Sequence, residues 1–223
     1  MLKRLSAEKI DEILETGIIE FAQNGPDRAN ISEIARKSGV SVGVLYKYYG
    51  NKDGLFEACL GRCLSALEDA IRCALEGEDK ILVRAEKLIR ALQRSAKEKP
   101  GYSVLYHEIT AGGCRQYAPV LARKIEGISA ETYAAFLTGA QADGDVRADM
   151  DPRLFAFFFD SLLMMLQFSY CCDYYRERFQ IYCGADVLSQ DDRVAAELLK
   201  FFESAFTTER SQIAHRRGGE QGK

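Results

Sequence analysis

Residues 31–49, ISEIARKSGVSVGVLYKYY, decide how this chain is read. Asn30 precedes an apolar-periodic stretch and Glu33 follows three positions later, a capping-box pattern that starts a short helix. Gly39 supplies a residue that tolerates positive φ, and Ser41 can cap a second short helix. Ala35 lets two backbones approach, while Ile34, Val40 and Leu45 fall on the inner side. The spacing therefore predicts two helices crossed at a tight turn, the second presenting its other face outward.

Upstream, Ile10, Leu14, Gly17, Ile18 and Phe21 recur at intervals of three and four, one stripe of a first helix that should stop near Asn24-Gly25-Pro26. Downstream, Asn51 caps a longer helix to about Glu76, with Phe56, Leu60, Cys63, Leu64, Leu67, Ile71 and Ala74 as its apolar stripe. A fifth helix carries Ile81, Leu82, Ala85, Leu88, Ile89 and Leu92, and Pro100-Gly101 divides it from a sixth over residues 102–110. A seventh covers about 119–137. Pro152 opens an eighth after a Gly- and Asp-rich loop, and between residues 154 and 166 only Asp160 and Ser161 are polar, so that helix must be covered on several sides. A last helix after Ser189 aligns Val194, Ala195, Leu198, Leu199, Phe202 and Phe206.

No stretch alternates with period two, so the expected class is all-α with about nine helices. The expected organisation is an N-terminal three-helix helix-turn-helix domain over residues 1–50 and a larger helical domain over 51–210. A polar, Gly-rich tail over 211–223 is expected to be disordered.

Charge is unevenly placed. Over residues 28–52, Arg28, Arg36, Lys37, Lys47 and Lys52 face Glu33 alone, a local +4 within a chain of net −3, so the remainder carries −7. A cationic face on an acidic body suits a phosphate-bearing partner. The seven cysteines (Cys59, Cys63, Cys73, Cys114, Cys171, Cys172, Cys183) form an odd set without a C-x-x-C pair, which reads as reduced core thiols. With charged residues at the N-terminus where a leader would be apolar, a cytoplasmic location is expected. Residues 154–172 are apolar enough to attract a membrane reading, yet include Asp160, Ser161, Gln167 and Ser169. A central Asp costs about 2.5–3.5 kcal/mol in lipid, so a buried helix is expected and no membrane partner.

The segments FAQNG (21–25) and SEIARKSGVSVGVLYKYYGNKDGLF (32–56) resemble the DNA-binding region of TetR-type (tetracycline-repressor-like, TetR/AcrR) regulators, over about residues 10–60. The string G-V-S-x-G-x-L-Y-x-Y-Y-x-x-K is specific to that resemblance. It implies that the helix opened by Ser41 enters the major groove of double-stranded DNA, with Val42, Gly43 and Val44 at base edges. So apolar a set suits thymine methyls and shape readout. Ser32 and Tyr46 are the hydrogen-bonding candidates, Tyr48 and Lys52 occupy phosphate-contact positions, and Lys47 adds charge beside them.

The resemblance also implies a homodimer on a palindromic operator and a small-molecule effector pocket. The interface is expected from the last apolar helices, at Phe158, Leu162, Leu166, Leu198, Phe202 and Phe206. Candidate pocket residues are Tyr102, Tyr106, His107, Tyr133, Phe136, Phe155, Phe159, Met165 and Phe168, whose walls would suit an apolar or aromatic effector. Rival readings are an effector-independent architectural DNA-binding protein, a helical enzyme built on Cys59, Cys63 and His107, and a thiol sensor at Cys171-Cys172. No P-loop, dinucleotide fingerprint or G-x-S-x-G is present, so no catalytic residue, cofactor or metal is expected.

Overall fold

A computed structural model of the chain describes residues 5–77, 80–110 and 118–206. Among them are ten α-helices, one short 3-10 turn and no strand. In chain order the helices are α1 (Ala7–Arg28), α2 (Ile31–Lys37), α3 (Val42–Tyr49), α4 (Lys52–Leu75), α5 (Ile81–Glu98), α6 (Pro100–Glu108), α7 (Ala118–Ala142), α8 (Pro152–Cys171), α9 (Asp173–Cys183) and α10 (Asp191–Phe206). The tail expected from residue 211 lies outside the described residues.

Side-chain caps set most of the starts. Asn30 Oδ1 accepts from the N–H groups of Ser32 (2.9 Å) and Glu33 (3.4 Å), Ser41 Oγ from Val44 N–H (3.3 Å), Asn51 Oδ1 from Gly54 N–H (2.8 Å), and Asp151 Oδ1 from Arg153 N–H (2.8 Å). The reciprocal half of the capping box does not form. Glu33 turns outward to Arg36, and the Asn30 N–H donates instead to Glu20 Oε1 (3.0 Å). Glu20 is a buried carboxylate that also accepts from Asn24 Nδ2 (3.0 Å), so it fixes the end of α1 against the start of α2. The break at Gly25 occurs where expected, at φ 71°, but one further turn opened by Pro26 runs on to Arg28.

Two apolar cores share α4. The first gathers Ile13, Ile18 and Phe21 of α1, Ile34 of α2, Leu45 of α3, Leu55, Phe56 and Cys59 of α4, and Leu105 of α6. The second gathers Ile71 of α4, Ala85, Leu88 and Ile89 of α5, Tyr133 and Leu137 of α7, Phe155, Phe159 and Leu163 of α8, and Phe202 and Phe206 of α10. Gly17 permits α1 and α4 to touch: a methyl group there would lie 2.7 Å from Cys59 Sγ.

Two expectations are corrected. Helix α9 was not anticipated, because none of its residues is buried and it carries no apolar stripe to read. Phe202 and Phe206 do not face outward. They are 1 % and 0 % exposed, packed on Phe159 (ring centroids 4.7 Å apart) and Phe155 (5.0 Å), because the Ala195-Leu199-Phe202-Phe206 stripe is the one α10 turns into its own core. Leu166 and Leu198 are half-buried against that core. Helix α8 is long and apolar enough to cross a membrane, but Phe155, Phe159, Leu163 and Phe168 are covered by neighbouring helices.

Candidate nucleic-acid interface and effector chamber

Helix α3 is anchored by one fully buried residue, Leu45, while half-buried Val42 and Tyr49 rest on the first core. That leaves a continuous outer surface. Ser41, Gly43, Tyr46, Lys47 and Tyr48 are exposed, Val44 is half-exposed, and Ser32 is exposed on the neighbouring α2. Gly39 adopts φ 63° at the turn, as its position requires. Gly50 ends α3, and Gly54 allows the close return into α4, since a methyl group there would sit 2.0 Å from the Tyr49 carbonyl oxygen.

Tyr48 and Lys52 are held in place from outside the turn. The Tyr48 hydroxyl accepts from Leu5 N–H (2.6 Å), and Lys52 Nζ donates to the Asp27 carbonyl (2.5 Å). Both tether the N-terminal segment and the α1–α2 joint to the helix-turn-helix. Of the nine sequence-named DNA candidates, Ser32, Ser41, Gly43, Tyr46, Lys47 and Tyr48 are exposed, Val44 and Lys52 are half-exposed, and Val42 packs on the first core, with Lys52 in the first turn of α4.

Two small adjoining cavities of about 50 and 30 Å³ lie between α4, α5, α6, α7 and α8. They share Leu67, Leu92, Tyr106, Ile125 and Gln167 as walls, and together form one chamber. Of the nine sequence-named pocket residues, Tyr102, Tyr106 and Tyr133 line it. Phe159 stands behind Tyr133 (5.4 Å between rings), and Phe155 and Phe168 are core. His107 packs between Phe168 and Tyr175, Phe136 lies under Arg84, and Met165 is exposed.

Two chamber residues were missed by the sequence reading, Glu126 and Asp160. Tyr106 donates to Glu126 Oε1 (2.9 Å), and burial beside that carboxylate pushes the Tyr106 hydroxyl well above its usual range. Burial, helped by Glu126, raises the Asp160 carboxyl to about 6. The signal for Asp160 was present: it is an acid at the centre of an otherwise apolar helix. Glu126 gave none, being one more charge on a mixed helix.

Thiols sit apart from this chemistry. Cys59 is buried and directed at the Leu14 carbonyl (3.6 Å); burial raises its thiol, and that of Cys63 to about 12, so neither is a ready nucleophile. His107, in its aromatic clamp, does not line the chamber to which Cys63 contributes. Among the described residues no group of three His, Cys, Asp or Glu side chains could hold a metal ion.

An exposed short helix leading into a long helix whose middle walls a chamber suits a DNA-binding transcriptional regulator. Residues 13–59 match the model of bacterial regulatory proteins of the tetR family. The chain is 29 % identical over 160 residues to the "Probable acrEF/envCD operon repressor" of Escherichia coli K12, covering 68 % of this chain and 72 % of that one. It shares its fold with the ketosteroid regulator KstR2 of Mycobacterium tuberculosis (TM-score 0.65, 18 % identity, 92 % of this chain and 98 % of that one). The same holds for FadR of Bacillus subtilis in complex with stearoyl-CoA (TM-score 0.65, 17 % identity, 89 % and 100 %). Together these likenesses support a TetR-type transcriptional regulator.

Proposed function

We propose that the protein is a homodimeric repressor that releases a palindromic operator when a small molecule enters the chamber. One observation carries this reading: α4 begins at the DNA-facing surface with Lys52 and forms the chamber wall with Leu60, Cys63, Leu64 and Leu67. Residues 1–50 would supply the DNA contacts and 51–210 the regulation, with α4 common to both.

The chamber as described holds only about a water or two, whereas drug-sized ligands occupy roughly 300–1,000 Å³. An effector must therefore part the helices, and α4 cannot yield at its middle without moving its first turn. The junction that would transmit this is polar. Arg62 of α4 pairs with Asp11 (2.8 Å) and Glu15 (3.6 Å) of α1, and Tyr102 of α6 donates to Glu15. Differential affinity of about 1–3 kcal/mol between two α4 positions suffices for a useful switch.

For the dimer, the outward faces of α8 and α10 offer Leu154, Phe157, Phe158, Leu162 and Phe201, all exposed and apolar. Phe158 and Leu162 stay from the sequence-named set, and Phe157 (66 % exposed) and Phe201 (58 %) replace Phe202 and Phe206. Repression is supported by the Escherichia coli relative, whose name is that of a repressor. Selection of bound sequences from a random library, then anisotropy titrations with candidate effectors, tests the reading. Effector-dependent release of a twofold-symmetric site is expected; scattered, effector-insensitive protection would favour an architectural role.

A further inference from the structure

Two thiols meet where α8 ends. Cys171 is the last residue of the helix, Cys172 turns out of it in an extended conformation, and their sulfurs lie 3.8 Å apart. Cys171 is half-buried and Cys172 buried, so a small reagent can reach the first while the second is covered. A hydrogen bond from Cys172, the Ser103 hydroxyl and the charge of Arg176 hold the Cys171 thiol below its usual range, against the effect of burial. Cys172 is pushed the opposite way, first by its hydrogen bond to Cys171 and then by burial. Helix α9 starts at Asp173 with no side-chain cap, and the leading N–H groups of a helix favour a thiolate in front of them. Cys59 and Cys63, both raised, have no such surroundings.

We propose that Cys171 and Cys172 form an oxidation site for a hydroperoxide, ROOH with R hydrogen or alkyl, in which Cys171 attacks and Cys172 resolves. The Cys171 thiolate attacks the terminal oxygen, the O–O bond breaks, and RO⁻ takes a proton and leaves as ROH. Cys171 is left as a sulfenic acid, oxidised by two electrons. The bond that most raised Cys172 is then gone. Its sulfur attacks that of Cys171, the S–O bond breaks, and the hydroxide takes the Cys172 proton and leaves as water. Two thiols and one hydroperoxide thus become one disulfide, one ROH and one water. Adjacent Cα atoms are about 3.8 Å apart across a trans peptide, below the roughly 4.4–6.8 Å usual for disulfides, so the closed ring is strained and easily reduced. Strained disulfides are the labile, regulatory kind.

Closure also reaches the DNA-binding half. The Cys171 thiol donates to the Gln167 carbonyl (3.3 Å), and Gln167 Nε2 donates to Ser103 Oγ (2.8 Å). Beside Ser103, Tyr102 donates to Glu15, which pairs with Arg62 of α4 (3.6 Å). Oxidation removes the donor at one end of this chain, and the other end is the helix whose first turn holds Lys52. This output rests on the repressor reading above; the oxidation itself does not.

Hydrogen peroxide treatment of the full chain tests this, in a background of Cys73→Ser and Cys183→Ser that removes two exposed thiols able to cross-link copies. The tryptic peptide 154–176 contains no other cysteine. It is expected to lose two hydrogens and to regain them with dithiothreitol. Affinity for the selected operator, read by anisotropy, is expected to fall at least tenfold and to recover in step. Cys171→Ser should keep its affinity under peroxide. Cys172→Ala should stop at a sulfenic acid that dimedone traps on Cys171; if that variant does not fold, the peptide from the parent chain decides the oxidation step. A peptide unchanged by peroxide, dimedone on any cysteine but Cys171, or a disulfide that leaves operator affinity intact overturns the proposal. A reduced protein that selects no operator would remove the repressor reading instead, with the peptide still deciding whether the disulfide forms.

Discussion

Gly54 and Asp160 carry unequal burdens for their size. At Gly54 the α3–α4 return leaves no room for a methyl group, whereas Gly61, about two helical turns further along α4, faces open space. Gly54→Ala is therefore expected to lower stability by about 1–3 kcal/mol and weaken operator binding. Gly61→Ala should raise stability by up to about 1 kcal/mol through helix propensity. Thermal unfolding of the two variants checks the opposite signs. Asp160 has an ordinary carboxyl value of 3.8 and about 6 in the fold, raised by burial and by Glu126. The folded state thus holds its proton more tightly than the unfolded chain does. Stability from this site is complete below 3.8 and is lost as pH rises through about 6. Relative to Asp160→Asn, the wild type should lose about 2 kcal/mol between about pH 4 and about pH 8, measured by urea unfolding. A gap independent of pH would place the carboxyl in water.

At the scale of elements, the helix-turn-helix was legible because every local signal agreed: caps at Asn30, Ser41 and Asn51, a positive φ at Gly39, and the inward set Ile34, Leu45. Elements lacking an apolar stripe were not legible, and α9 is the example. For α10 the stripe was correct but its partner was not. Periodicity reports which face is apolar, and cannot say whether the chain's own α8 or a second copy covers it. Likewise the chamber could not be read from aromatic spacing, since Phe155 and Phe168 share the helical period of lining residues and end in the core. Helix α4 gives its own prediction. With Lys52 at a phosphate, Lys52→Ala should flatten the dependence of log affinity on log salt by about 0.9 per protomer. Lys52→Arg should restore the slope. Because Lys52 also holds the Asp27 carbonyl, an unchanged slope with lower affinity would assign it a positioning role only.

Over the whole molecule, α4 and α7 contribute to both cores and α8 keeps an apolar outer face, the surface proposed to pair with a second copy. Phe157→Glu together with Phe158→Glu removes no core contact, both side chains being exposed, and should yield folded monomers by sedimentation with operator affinity lost. A persisting dimer would move the interface elsewhere. Central to all of this is the fit of the outer α3 surface to a DNA groove. Gly43 lies in the middle of that surface, exposed, with only Ser41 Oγ within 4 Å (3.8 Å) of where a side chain would begin. Gly43→Glu therefore leaves packing intact while placing a carboxylate against the bases. Hydroxyl-radical footprinting should show two protected patches for the wild type, about 34–36 Å apart or a multiple of that. No protection is expected for a Gly43→Glu protein whose helical spectrum and unfolding midpoint match the wild type. An unchanged footprint from that variant would contradict the assignment of α3 as the DNA-reading helix.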